Sequence, residues 1–332
     1  MTALTGIMRH MHCEVTAIVV SYNREELLRE CLTGIQRQTR KADHVIVIDN
    51  ASTDHALRVA RTHPLHPHVV ELNKNYGGAG GFCAGIALAM QHYYRPDTVQ
   101  YLWVMDDDTI PKRTALAQLL DAVDASVAEN GVLPTVLGSK AVWTDGREHL
   151  MNKPRLRTFV RKGQRFLQGS QGAFQVRSLS FVSCLINAGA VQGLHRLPLA
   201  AYFLWNDDFE FTSALLKRGI GYYVPNSVVE HRTKVFGSSD ADPGARFVNE
   251  VRNKIWMMRL RRSDFYAEEY AELLLKTMRR WALTIARGAD REALLTYFQE
   301  GWNQGWHTNP ESNEAIFASE PLAERAIKTV ER

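Results

Sequence analysis

Three carboxylates stand side by side at Asp106, Asp107 and Asp108, directly after the apolar run Tyr101 to Met105. Adjacent carboxylates repel one another, and in a folded site a bound divalent cation offsets that repulsion. Along an extended chain Asp106 and Asp108 point the same way, which makes them oxygen ligands for Mn2+ or Mg2+ bridging a nucleotide diphosphate. An acidic helix start before Pro111 accounts for the same residues in purely structural terms. A second cluster, Trp205-Asn206-Asp207-Asp208-Phe209-Glu210-Phe211, sets acids among large apolar side chains. Desolvation there raises a carboxyl's pKa and suits it to general-base work, while helix capping explains two of its acids equally well. His231 follows the run Val224 to Glu230, and its value as a ligand depends on meeting the aspartates in space.

The glycine cluster Asn75-Tyr76-Gly77-Gly78-Ala79-Gly80-Gly81 fails as a dinucleotide fingerprint, because Cys83 stands where the third glycine is needed. Its plainer use is close approach of backbone to a ligand or a helix, with Asn75 supplying an amide. His63, His66 and His68 are interleaved with Pro64 and Pro67 and have no nearby ligand partners, so they read as loop residues.

Positioning these groups requires strands that end together. Val15 to Val20, His44 to Ile48, His68 to Leu72 and Gln100 to Met105 read as short buried strands. Helical patterns over Arg24 to Gln38, after the caps Ser52-Thr53-Asp54, and from Gly77 to about Tyr94 separate them. The alternation predicts an α/β domain with a mainly parallel sheet, and places the acids at strand carboxyl ends, where ligands of such sheets bind. Another helix runs past Pro111 to about Glu129, and 136–182 mixes short strands with turns. Asp207 to Arg218 is a helix ending at Gly219, Gly221 to Val229 is extended, and Ser238 to Gly244 has the composition of a mobile loop. From Phe247 onward the pattern is helical.

With 332 residues, 45% hydrophobic and 23% charged, the chain suits one catalytic domain with a helical tail: an N-terminal tail over 1–12, a catalytic domain over 13–235 and a loop plus helical region over 236–332. The formal net charge of +4 is mild and points to no nucleic-acid partner. Four scattered cysteines read as reduced thiols in a cytoplasmic protein. No apolar run approaches the roughly 20 residues needed to span a bilayer. Peripheral contact with the cytoplasmic membrane face stays open, because Arg252, Lys254, Arg259, Arg261 and Arg262 alternate with apolar residues and Lys276, Arg279 and Arg280 flank Trp281. A helix packing its apolar face on the catalytic domain is the other reading of that stretch.

Taken in order, Val19-Val20-Ser21-Tyr22-Asn23-Arg24, Val47 to Asp54, Asn75 to Gly81 with Gly85, Met105 to Thr109, Asp207 to Phe211 and Arg252-Asn253 resemble glycosyltransferase family 2, over about Val15 to Met258. The resemblance implies the GT-A fold, a Rossmann-like nucleotide-sugar-binding domain, here with a C-terminal helical extension. It implies that Tyr22 stacks on uracil, that Asp49 accepts from the base N3–H, and that Ser21, Asn75, Gly80, Asp106 and Asp107 line the donor site. Asp106, Asp108 and His231 would hold the metal, Asp208 would be the general base of an inverting transfer, and Trp205, Asp207, Glu210 and Arg252 would contact acceptor or donor sugar. Within the family the motifs look most like actinobacterial galactofuranosyltransferases, in particular the enzyme that begins cell-wall galactan. That implies UDP-galactofuranose as donor and a rhamnosyl, polyprenyl-diphosphate-linked glycan as acceptor. Rhamnosyltransferases using dTDP-rhamnose share much of this grammar. A sugar-phosphate nucleotidyltransferase would need a Gly-rich basic loop where Ser21-Tyr22-Asn23-Arg24 stands, and a non-catalytic sugar-nucleotide-binding module would not need Asp208.

Overall fold

A computed structural model describes residues 12–233, 236 and 243–332. Its first strand shows why the sheet is central. β1 (Glu14–Ser21) is buried on both faces, so it reads as a continuous apolar run without alternation. Ile18 and Val20 face one core, with Phe82, Ile86 and Met90. Ala17 and Val19 face a second, with Leu28, Leu32, Ile35, Val59, Leu116 and Leu119. Helices on both sides remove the sheet from water.

β2 (His44–Asp49), β3 (His68–Glu71) and β4 (Gln100–Asp106) complete a parallel half in the order β3-β2-β1-β4. Beyond it lie β5 (Thr109–Pro111), β6 (Val136–Val142), β7 (Phe174–Gln175), β8 (Cys184–Asn187) and β9 (Gly221–His231). β8 inserts antiparallel between β4 and β6, β6 and β9 run parallel, and β5 and β7 pair antiparallel with β9. The mainly parallel expectation holds for β1 to β4, and the mixed half is built from the segment whose strands the sequence marks least.

α1 (Glu25–Gln36) buries Leu28, Cys31, Leu32 and Ile35, and Glu25 and Glu26 suit its positive N-terminal end. Its first amide, Glu25 N–H, donates to Asp54 Oδ2 at 2.9 Å. The Asp54 carboxyl expected to cap the following helix therefore braces α1 as well, its Oδ1 accepting from Ala56 N–H of α2 (Ala56–Thr62) at 2.9 Å.

α3 (Gly77–Tyr93) is buried nearly all round. A Cβ on Gly81 would lie 2.4 Å from Val20 Cγ1, and one on Gly85 2.5 Å from Ile18 Cγ2. The glycines thus let a helix lie directly on β1, the packing use of the cluster.

α4 (Ala115–Asn130), α5 (Ala188–Leu194) and α6 (Asp207–Arg218) follow, then α7 (Phe247–Leu260), α8 (Ala267–Arg287), α9 (Arg291–His307), α10 (Asn313–Ile316) and α11 (Pro321–Val330). The last of these are no appendage. Phe317 stacks on Tyr76 with centroids 4.5 Å apart, and Ala323, Ala326, Ile327 and Val330 belong to the same apolar cluster as α3. The boundary expected at residue 235 does not divide the core. Of the expected loop at 238–244, residues 238–242 lie outside the described residues.

The basic stretch of α7 is mostly turned inward. Phe247, Val251 and Ile255 pack with Trp281 and Leu294, while Trp256 and Met257 pack with Leu199, Tyr202 and Phe265. Arg259 donates to the Thr308 carbonyl at 3.1 Å and Lys254 is buried. The apolar face of α7 is therefore a packing face, as the second reading of that stretch expects. Among the described residues no helix is long and apolar enough to cross a membrane.

Candidate active site

β1, β2 and β4 end beside one another, with Ser21 opposite Asp49 and Val20 opposite Asp106 in register. The strand order turns between β1 and β4, and a crevice opens at such a switch point. Ser21, Tyr22, Asp49 and the acidic run all meet there.

Asp106 closes β4, but Asp107 and Asp108 form a turn into β5 rather than continuing an extended chain. The expected alternation is thus lost. Asp107 Oδ2 accepts the Tyr22 N–H at 3.1 Å, and its Oδ1 lies 3.1 Å from Arg24 Nη1. Arg24 also pairs closely with Asp108 Oδ2. Burial pushes Asp107 up to about 6 against the pull of Arg24. Burial alone would raise Asp108 too, but His231 and Arg24 hold it below its ordinary value. Asp106, raised by burial and then by the Asp108 and Asp107 charges, is the member most in need of a cation.

His231 meets the aspartates, as its ligand reading requires. Its Nδ1 lies 2.9 Å from Asn152 Oδ1, a contact that fixes the ring with Nε2 turned towards Asp108. Nε2 and Asp108 Oδ1 are 3.4 Å apart, and that oxygen has no hydrogen-bond partner. A carboxylate oxygen facing an imidazole nitrogen, with an outer partner fixing the ring, is a pair of the kind that ligates a divalent cation. Among the described residues no three acidic, histidine or cysteine side chains gather round one point. The expected Asp106, Asp108 and His231 set is therefore a convergent pair with Asp106 as a neighbour.

At the end of β2, Asp49 Oδ2 accepts Ser52 N–H at 3.0 Å, while its buried Oδ1 has no partner. Tyr22 is 42% exposed, leaving its ring face open. Asn75 Oδ1 accepts Gly77 N–H at 2.8 Å, a local turn. Gly80 packs closely within the helix's surroundings. A Cβ there would lie 2.4 Å from Tyr76 Cβ, so the absence of a side chain lets Tyr76 lie against the helix. Sequence reasoning also missed Asn50, which is buried and ties β2 to the glycine turn by accepting from Tyr76 N–H and donating to the Gly77 carbonyl at 3.0 Å.

The second cluster starts α6. Phe203, Trp205 and Asn206 all have left-handed φ, at 59°, 68° and 70°, immediately before Asp207. Gly77 meets this loop: its φ is +72°, and a Cβ would lie 2.0 Å from the Phe203 carbonyl oxygen. Asp208 is half-buried and its Oδ1 accepts Phe209 N–H at 2.6 Å, so burial raises it while that amide and Lys254 restrain the rise. Asp207 is more deeply buried, and burial with the adjacent Asp208 charge pushes it up to about 8. Burial thus bears harder on Asp207, which holds a proton near neutrality.

Glu210 and Arg252, expected to contact sugar, do other work. Glu210 is fully buried, 2.8 Å from Arg196 Nη2 and 3.5 Å from Arg261 Nε, tying α6 to its surroundings. Arg252 donates to the Tyr202 carbonyl at 3.1 Å and covers the Trp256 ring.

A pH dependence follows. The folded state holds a proton on Asp207 that the unfolded chain, with its ordinary value of 3.8, gives up. Stability contributed by this group is present at acid pH and is lost as pH rises through about 8. The thermal midpoint of the wild type should fall relative to that of Asp207→Asn between pH 5 and pH 8. Parallel curves would refute the assignment.

The sequence and fold were compared with known proteins. The model of the family described as Glycosyl transferase family 2 matches residues 16–187. Galactofuranosyltransferase GlfT1 of Mycolicibacterium smegmatis is 35% identical over 112 residues, which is 33% of this chain and 35% of that protein. Galactofuranosyltransferase GlfT1 of Mycobacterium tuberculosis H37Rv is 26% identical over 264 residues, covering 74% of this chain and 82% of the relative. Thus the first alignment spans about a third of its relative, and the second most of its own. Among solved structures, S. aureus TarS 1-349 in complex with UDP superimposes with a TM-score of 0.59 at 15% identity, over 96% of this chain and 90% of that one. That likeness is one of fold. A matched family model over half the chain and acids gathered at the switch point of its sheet agree: the chain belongs to glycosyl transferase family 2 and is a glycosyltransferase.

Proposed function

We propose that the chain is an inverting galactofuranosyltransferase that uses UDP-galactofuranose and extends a rhamnosyl glycan carried on a polyprenyl diphosphate, adding the first galactofuranosyl residue or residues of a cell-wall galactan. The observation that carries the donor reading is the unpartnered, buried Asp49 Oδ1 beside the exposed Tyr22 ring. Uracil offers an N3–H to that oxygen and a flat face to that ring. The names of the curated relatives favour galactofuranose over other sugars.

In the proposed reaction Asp49 fixes the base and Tyr22 covers it. Asp108 and His231, with Asp106 beside them, would hold Mn2+ or Mg2+, which when bound supplies positive charge for the departing diphosphate. Arg24 keeps Asp107 and Asp108 in place. Asp208 takes the proton of the acceptor hydroxyl as that oxygen attacks the anomeric carbon from the face opposite the leaving group, which inverts the centre.

Thymine presents the same N3–H as uracil, so the base alone does not exclude dTDP-rhamnose, and the donor must be tested directly. Incubated with Mn2+, a synthetic lipid-linked rhamnosyl acceptor and each donor in turn, the protein is expected to release UDP and lengthen the acceptor only with UDP-galactofuranose. Extension with dTDP-rhamnose instead would overturn the donor assignment.

A further inference from the structure

A group of cations runs outward from Lys254, which feels the Asp208 charge. Leu156 and Val176 form an antiparallel bridge, which sets Arg155 across from Arg177. Like charges directly opposite on paired chains destabilise the pairing. Lys276 of α8 adds to the repulsion felt by both. Lys254 of α7 continues the line inward, its Nζ 4.2 Å from the centre of the Phe209 ring, with Arg177 Cζ 5.6 Å from the same ring. Lys254 in turn senses the Asp208 charge.

The acids nearby, Glu250, Glu268, Glu269 and Glu272, offset this in part. Glu269 is taken by Arg157 at 2.8 Å. Glu272 serves both Arg177, at 3.6 Å, and Lys276, while Glu250 serves Arg280 at 3.7 Å and also accepts from Asn206. Among the described residues Arg155 has no ion pair. Burial and neighbouring arginines depress Lys276 to about 8, and burial does the same to Lys254. Exposure falls along the line, with Arg155 exposed, Lys276 34%, Arg177 13% and Lys254 buried. Like charges graded from exposed to buried attract a multiply charged anion. Phe159, 72% exposed, lines the same pocket as Arg155 and Arg177, which suits an anion that carries a hydrocarbon chain.

We propose that Arg155, Arg177 and Lys276 hold the diphosphate of a lipid-linked acceptor, with Lys254 filling the step between that group and Asp208. This rests on the acceptor class given above and names the residues that would bind it. Three or four donors around one diphosphate give charge-assisted hydrogen bonds, the strong class.

Titrating the full chain with farnesyl diphosphate, in saturating UDP and Mn2+ to keep the probe out of the donor site, tests the subsite without any sugar. Loss of two such contacts in the double variant R155A/K276A is expected to weaken binding about ten-fold or more. R279A, on the same helix outside the cluster, should match the wild type, and pelleting with phosphatidylglycerol vesicles should be equal for all three proteins. No binding by the wild type, or equal binding by the double variant, overturns the proposal. So does loss of vesicle pelleting with farnesyl diphosphate binding intact, which would give the cluster to a membrane headgroup. Binding that depends on these residues in a protein that transfers no galactofuranose would break the donor assignment and leave the subsite standing.

Discussion

Asp208→Asn is expected to lower transfer by about 10^3-fold, within the range of 10^2 to 10^4 for general-base catalysis, while donor affinity and thermal stability stay close to wild type. The substitution is isosteric, and the new carbonyl can still accept the Phe209 amide that Asp208 Oδ1 accepts at 2.6 Å. What it removes is the ability to take a proton. Asp207→Asn separates the two neighbours, because a carboxyl pushed up to about 8 is already neutral near pH 7 and its amide mimics that state. Its rate at pH 7 should fall far less, by less than about ten-fold on the same reasoning. Acceptor-dependent UDP release, with donor binding followed separately by titration, reads both variants. If Asp208→Asn turns over near the wild-type rate, the proton acceptor lies elsewhere.

Much of this site was legible from local pattern. β1, β2 and β4 announce themselves as short apolar runs, and their register brings Ser21, Asp49 and Asp106 together without further information. α6 was bounded by sequence at Asp207 and Arg218, where the structure bounds it, because Gly219 follows a helical pattern that begins in acids. Pairings between distant residues carry no such signal. Arg24 is one residue of a loop motif, and nothing local says that its guanidinium will bridge Asp107 and Asp108, more than eighty positions on. Glu210 read as a site acid because its neighbours are site acids, whereas a helix turns it to the opposite side, against Arg196. The antiparallel insertion of β8 between β4 and β6 was likewise invisible, since strand order depends on contacts that periodicity does not encode. The basic stretch of α7 shows the same limit in reverse: alternating arginines and apolar residues describe a membrane face or a packed face alike, and only the partners decide.

Those partners make Asn253 the residue on which the loop before Asp208 depends. It is fully buried, and its amide group donates to the carbonyls of Tyr202 at 3.0 Å, Leu204 at 3.0 Å and Trp205 at 2.9 Å. Its Oδ1 accepts from Arg252 Nε at 3.0 Å. The loop it holds contains Phe203, Trp205 and Asn206, each in the left-handed region that side chains disfavour by about 1 kcal/mol or more. Two amide hydrogens shared among three carbonyls are what offsets that strain. Asn253→Ala should therefore lose about 2–4 kcal/mol of stability, from carbonyls left buried without donors. It should also lower kcat by roughly 100-fold, a loss typical of a misplaced catalytic group, because Asp208 sits at the end of the released loop. Donor affinity should hold, since Asp49 and Tyr22 lie on other elements. Asn253→Asp sharpens the test. It preserves shape but replaces the donor with an oxygen facing three oxygens, so it should be less stable than the alanine variant rather than more. Thermal denaturation alongside kcat and donor titration would decide it, and an aspartate variant as stable as wild type would show that the loop holds its left-handed form without this amide.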